Sequence, residues 1–146
     1  MQKLIEEFKY GKRKEVAHYF SRFLSGFSLN YDFIIPVPLH PVRFRERGFN
    51  QSELIAESLS RAYDIPLMKK GIRRVKYTVQ QANLTRNERL QNLSGAFYVK
   101  NLERFKDKKI LLIDDVYTTG ATIENLARAF KNFPSQVDGF VIASKV

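Results

Sequence analysis

The chain has 146 residues, 44% of them hydrophobic and 13% aromatic, and 25 Lys and Arg against 15 Asp and Glu leave a net charge of +10. That is enough apolar material for one substantial core and too much for a disordered chain, so a single domain over residues 1–146 is expected, a helical segment 1–30 leading into a core 31–146. No apolar run approaches the roughly 18 residues of a membrane span and the N-terminus has no secretory pattern, while zero cysteines exclude disulfides and thiolate metal sites.

Two histidines make zinc a poor expectation, and the chain reads as cytoplasmic, with no membrane insertion. The positive charge asks for an anionic partner. A polyphosphate substrate, nucleic acid and an acidic protein surface all qualify.

In chain order, residues 2–25 read as helical, with Leu4, Ile5, Phe8, Val16, Tyr19, Phe20, Phe23 and Leu24 at helical spacing and Gly11 interrupting them. The cluster Lys9, Lys12, Arg13 and Lys14 reads either as a solvated face or as a contact for nucleic acid or a partner domain. Asp32 to Pro38 predicts a strand ending in a proline-rich corner. Leu39 to Asn50 then reads as a basic loop carrying Arg43, Arg45 and Arg47, with Gly48 and Asn50 as turn residues. A helix follows from Gln51 or Ser52 to Tyr63, burying Leu54, Ile55 and Leu59. Ile65 to Met68 predicts a short strand, and Lys69 to Arg74 is strongly basic. Val75 to Leu93 is polar and long for a small domain, which predicts a functional lid or disorder, with room for a helical turn over Asn87 to Leu93. Ala96 to Val99 and Val137 to Ala143 read as strands.

The richest stretch runs from Lys109 to Thr122. Ile110 to Ile113 is an unbroken aliphatic run, as in a strand buried on both faces of a parallel sheet. Asp114 and Asp115 follow, then a turn rich in Thr and Gly, then an amphipathic helix from Ile123 to Phe133 that Thr119 or Thr122 would cap. A helix start with free amides, hydroxyls and a glycine suits a phosphate. The acids lie where hydroxyls of an attached sugar would sit, as acceptors for a diol or, through water, as partners of a divalent metal. There is no G-x-x-x-x-G-K-[ST] and no G-x-G-x-x-G after a strand.

Strands alternating with helices predict an α/β fold with a mainly parallel sheet. Two loops at the carboxyl ends of its strands should share a crevice, where guanidiniums can grip a pyrophosphate in bidentate fashion. His40 has no visible metal partner and reads as structural. The same crevice would gather Arg43, Arg45, Arg47, Arg73, Arg74, Lys76, Arg86 and Arg89 with Phe44, Phe49 and Tyr77 interleaved, a pattern suited to single-stranded DNA. Those aromatics read equally well as core residues.

The stretch from Ile110 to Thr122 resembles the phosphoribosyl-diphosphate (PRPP) loop of the type I phosphoribosyltransferases: apolar strand, Asp-Asp, two residues, Thr-Thr-Gly-x-Thr. Phe8-Lys9-Tyr10, Pro36-Val37-Pro38-Leu39-His40 with Arg47-Gly48-Phe49-Asn50-Gln51, and Arg74 to Asn92 with Gly95-Ala96-Phe97 extend the likeness to nearly the whole chain. In the third of these, Arg74, Thr78, Gln81, Leu84, Arg89 and Asn92 carry the pattern. Together they resemble the competence protein F (ComF) family of phosphoribosyltransferase-like proteins. Members of that family usually carry a four-cysteine zinc module before the first helix, and this chain has no cysteine.

The resemblance implies a three-layer type I phosphoribosyltransferase-like fold. It implies PRPP binding by Asp114, Asp115, Val116, Tyr117, Thr118, Thr119, Gly120, Ala121 and Thr122, with the acids on the ribose hydroxyls and, through water, on Mg²⁺. Leu39, His40, Arg45 and Arg47 would face the pyrophosphate. Asp114, Asp115 and Arg89 would be catalytic, with the loop from Gln81 to Arg89 closing over the site. The implied role lies in DNA uptake during natural transformation, beside single-stranded DNA and other competence proteins. A non-catalytic PRPP or nucleotide sensor and a single-stranded-DNA-binding protein are the rival readings.

Overall fold

The computed structural model describes residues 28–77, 88 and 91–144. The expected N-terminal helices with their basic cluster, most of the expected lid, and Arg86 and Arg89 lie outside the described residues.

The order of elements is β1 (Phe33–Pro36), α1 (Pro41–Arg47), α2 (Gln51–Tyr63), β2 (Ile72–Arg74), β3 (Phe97–Val99), a 3₁₀ turn (Leu102–Phe105), β4 (Lys109–Tyr117), α3 (Ala121–Ala129) and β5 (Gln136–Ser144). β4 is central. It pairs in parallel with β1, Phe33 opposite Ile110, and with β5, Lys109 opposite Gln136. A strand with neighbours on both edges and helices on both faces has no solvated side, which is why Ile110 to Ile113 are apolar without alternation. Leu111 and Ile113 pack with Ile55 and Leu59 of α2, whereas Ile110 and Leu112 pack with Leu126 of α3 and Phe130 at its C-cap. The sheet is thus covered on both faces, as the α/β expectation requires.

The second face is completed by an antiparallel hairpin of β2 and β3, whose Ile72, Phe97 and Val99 join the α3 side of the core. Phe105 closes its lower end, edge-on to Phe33 at 5.9 Å and to Phe130 at 5.0 Å between ring centroids. At β5 the helix comes very close. A Cβ on Gly139 would lie 2.8 Å from Cγ2 of Ile123, so only glycine lets α3 seat there.

Four expectations are corrected. The segment expected as a basic loop contains α1: Pro41 sits at its first turn, where a missing N–H costs nothing, and Gly48 ends it with φ 73° and an N–H donated to the Phe44 carbonyl. Of the residues read as turn formers, Gly48 is the C-cap of this seven-residue helix and Asn50 the N-cap of α2. Ile65 to Met68 is not a strand but a single parallel bridge between Leu67 and Ile34; Pro66 lacks the donor that would extend it. β2 went unpredicted, because Ile72 is the one apolar residue in its three. Finally, α3 spans Ala121–Ala129 with Gly120 as its N-cap, in place of Ile123 to Phe133 with a threonine cap. Lys131 and Asn132 have positive φ and stop it early.

Candidate functional site

The sheet's carboxyl edge collects the chemistry. β4 continues through both acids to Tyr117, with Asp114 opposite Val141 and Tyr117 opposite Ser144. The chain then turns at Thr118 to Gly120 and enters α3. Gly120 has φ 75°, and a Cβ there would meet the Tyr117 ring at 2.8 Å, so the phenol lies across the turn where a side chain would otherwise stand. Ala121 N–H donates to Thr119 Oγ1 at 3.5 Å, a long local bond that leaves the cap itself to glycine. Asp114, Val116, Tyr117, Thr118, Gly120 and Thr122 line an open hollow together with Ile123. Of the nine residues expected to bind PRPP, Asp115, Thr119 and Ala121 do not line it; Ala121 is buried beneath the turn.

Asp114 is the best-held group in the site. Its Oδ1 accepts from Ser52 Oγ at 3.2 Å and from the Asp115 N–H at 2.9 Å. Burial at the strand's end, then the adjacent charge of Asp115, push its carboxyl up to about 7, against the lowering effect of those hydrogen bonds. Ser52 lies in the first turn of α2 behind the Asn50 cap, whose Oδ1 accepts from Ser52 N–H at 3.1 Å and whose amide donates to the Val37 carbonyl at 3.0 Å. Asn50 therefore ties α2 to the end of β1 and aims Ser52 at Asp114. Ser52 thus joins the two β-loop-α units at Asp114, while the hollow itself is lined by residues of the second unit.

Arg74 of the hairpin feels the charge of Asp114. Its guanidinium lies 5.7 Å from the Phe97 ring centroid; burial lowers its pKa, with Asp114 pulling it back up and Arg43 pushing it down. Arg43 in turn lies 5.7 Å from the Tyr77 ring centroid, and the His40 ring meets the same tyrosine at 5.2 Å. His40 also caps α1, Nδ1 accepting from Val42 N–H at 3.3 Å, so this histidine has a structural part to play. Arg47 Nη1 donates to Gln51 Oε1 at 3.4 Å. At about 100° per residue Arg43 and Arg47 share a flank of α1, and Arg45 stands on another. The arginines do not line one groove together.

Sequence reasoning left Ser52 and Tyr77 out of the candidate phosphoribosyl site. Ser52 had a signal, an Asn-x-Ser at a helix start after a basic segment; Tyr77 had none beyond its charge-rich setting. Among the described residues no group of three or more His, Cys, Asp or Glu is placed to hold a metal, and no helix is long and apolar enough to cross a membrane.

This geometry has relatives. Residues 49–144 match the family model for the phosphoribosyl transferase domain. The chain belongs to that family. It is 39% identical over 99 residues to competence protein F of Haemophilus influenzae, a match covering 67% of this chain and 43% of that protein. It is 34% identical over 149 residues to competence protein ComFC of Bacillus subtilis, covering 97% of this chain and 59% of that one. The chain thus sits in the competence protein F branch, and it spans about half the length of these curated relatives. In structure it is similar to the allosteric regulatory enzyme of purine biosynthesis, with a TM-score of 0.54 at 14% identity over 88% of this chain and 25% of that one. That likeness speaks to the fold, which is of the type I phosphoribosyltransferase kind.

Proposed function

We propose that the chain binds PRPP with Mg²⁺ and transfers the phosphoribosyl group to a nitrogen nucleophile, acting in the cytoplasm on the path of incoming DNA beside other competence proteins. The observation that carries this is the hollow at the end of β4, where a part-buried acid and a glycine-capped helix start stand side by side. In this reading the amides and hydroxyls of Thr118 to Thr122 hold the 5-phosphate and the helix end supplies partial positive charge. Asp114 and Asp115 accept from the ribose hydroxyls, and Ser52 keeps the Asp114 carboxylate turned toward them. The competence names of the relatives support the link to DNA uptake.

The donor set fits a magnesium ion. Asp114 is raised by burial and by Asp115, which marks a carboxylate pair short of positive charge. Magnesium is usually held by one or two carboxylates plus substrate phosphates and water, not by a protein cage. Asp114 and Asp115 would hold it through water, and it would supply neutralisation of the leaving diphosphate. The C1–O bond breaks with its electron pair leaving on pyrophosphate, and the nitrogen lone pair forms the new C1–N bond. His40 and Leu39 at the end of β1, with Arg47 and the more distant Arg45, are assigned to the pyrophosphate, and Arg43 shares the flank of Arg47. The oxocarbenium-like transition state asks for charge complementarity and exclusion of water more than for a covalent nucleophile. Arg89 is assigned to catalysis, on the loop from Gln81 to Arg89 that would close over the site.

A crystal soaked with PRPP and Mg²⁺ tests the assignment. The 5-phosphate should sit within hydrogen-bond distance of the amides of residues 118–122, with the ribose hydroxyls on Asp114 and Asp115. A ligand bound elsewhere overturns it. Pyrophosphate released only when a nitrogen acceptor is added would favour the transferase over a sensor.

A further inference from the structure

The β2–β3 hairpin has two faces of opposite character. The register sets Ile72 opposite Val99, Arg73 opposite Tyr98 and Arg74 opposite Phe97. Side chains alternate along a strand. Ile72, Val99 and Phe97 are buried, and Arg74 stacks on Phe97 toward Asp114. Arg73 and Tyr98 therefore form a cross-strand pair on the outer side, with the guanidinium 5.6 Å from the ring centroid. Tyr98 remains 47% exposed even with Arg73 beside it, and Val75, just past the end of β2, is 53% exposed. Lys100, two residues on from Tyr98, is exposed too, and its N–H donates to the Gly71 carbonyl, which keeps the strands aligned beyond their named ends. No acid occurs from Gly71 to Lys76 or from Ala96 to Lys100.

A half-exposed aromatic ring on a rigid two-stranded support, flanked by cations and free of acids, does nothing for the phosphoribosyl site, which lies on the other side of the hairpin. Its charge is complementary to an anionic polymer, and its ring to a partner with flat faces. We propose that the outer face of the β2–β3 hairpin binds single-stranded nucleic acid, with Tyr98 stacking on a base and Arg73 and Lys100 contacting the flanking phosphates. Stacking on an aromatic accepts any base, so recognition is indifferent to sequence. Because Arg73 and Arg74 point to opposite sides, nucleic acid and PRPP occupy different surfaces and do not compete.

The test is fluorescence anisotropy of a labelled oligothymidylate titrated with the full chain over a salt series. Tyr98→Ala should weaken binding about tenfold, the scale of one lost base stack, while Tyr98→Phe retains it. Arg73→Ala should weaken binding and make the salt dependence shallower by about one phosphate contact. Millimolar PRPP with Mg²⁺ should leave the affinity unchanged. Parent-like binding by both alanine variants overturns the proposal, as does displacement of the oligonucleotide by PRPP, which would put the nucleic acid in the crevice. Absence of binding at low salt overturns it too. So does equal binding of labelled polyglutamate with the same dependence on Tyr98, which would make the face a site for acidic protein. Both substituted side chains are exposed, and far-ultraviolet circular dichroism of each variant checks that the fold is kept.

Discussion

Asp114 shows how one residue can be costly to the empty fold and useful to it. Its carboxyl is raised from 3.8 to about 7, first by burial and then by Asp115. A raised folded-state value means that the folded chain holds this proton more tightly than the unfolded chain. The associated stability is present in full below the unfolded value and is lost as pH rises through the folded one. Asp114→Asn cannot ionise, so without ligand it should melt higher than the parent at pH 8, with the gap shrinking toward pH 5. The gain should be about 2 kcal/mol, since one pKa unit is about 1.4 kcal/mol and solvent at the strand's end screens part of the effect. Differential scanning calorimetry at the two pH values checks this; a variant less stable than the parent at pH 8 would show that Asp114 is held as a favourable anion. Gly120 is the other residue of consequence. With φ 75° and the Tyr117 ring 2.8 Å from any added Cβ, Gly120→Ala should cost about 1–2 kcal/mol in chemical denaturation and weaken PRPP binding. An unchanged midpoint would mean the turn relaxes freely.

At the scale of elements, what the sequence made legible depended on how locally each signal was written. The acids, threonines and glycine of the proposed phosphate turn lie in one run from Asp114 to Thr122, between a strand and a helix whose periodicities differ, so their joint position could be read directly. The contact between Ser52 and Asp114 spans 62 residues and exists only because β1 and β4 pair. α1 was hidden because proline and glycine mark helix ends as well as turns, and β2 because three residues are too few for alternation to register. Gly139 is a case that no local pattern announces: its missing side chain sets the distance from β5 to α3, and α3 carries the phosphate turn. Gly139→Ala should therefore destabilise the fold by about 1–3 kcal/mol through overpacking against Ile123. Combined with Ile123→Ala, which removes the atoms in conflict, the loss should fall short of the sum of the two single losses. Additive losses in urea unfolding would place the strain elsewhere.

At the scale of the whole molecule, part of the net charge of +10 is divided between two surfaces among the described residues. Arg43, Arg47 and Arg74 gather at the carboxyl edge of the sheet, near the acids that would hold a ribose; Arg73 and Lys100 stand on the far side of the hairpin. The family and the α/β fold with its parallel sheet could be anticipated from motifs spread along the chain, whereas this division could not, because it turns on the register of a hairpin too short to predict. The central claim is that the carboxyl-edge crevice holds PRPP. A ligand at about 100 times its dissociation constant stabilises a fold by about 2.7 kcal/mol, enough to raise the melting temperature of a chain this size by several degrees. The most direct measurement is a calorimetric titration of the chain with PRPP and Mg²⁺, beside the same titration of the Asp114→Asn, Asp115→Asn double variant. The account predicts saturable heat with one ligand per chain in the parent and at least about tenfold weaker binding in a double variant that melts cooperatively. No heat and no melting shift at millimolar PRPP, or equal binding by the double variant, would contradict it.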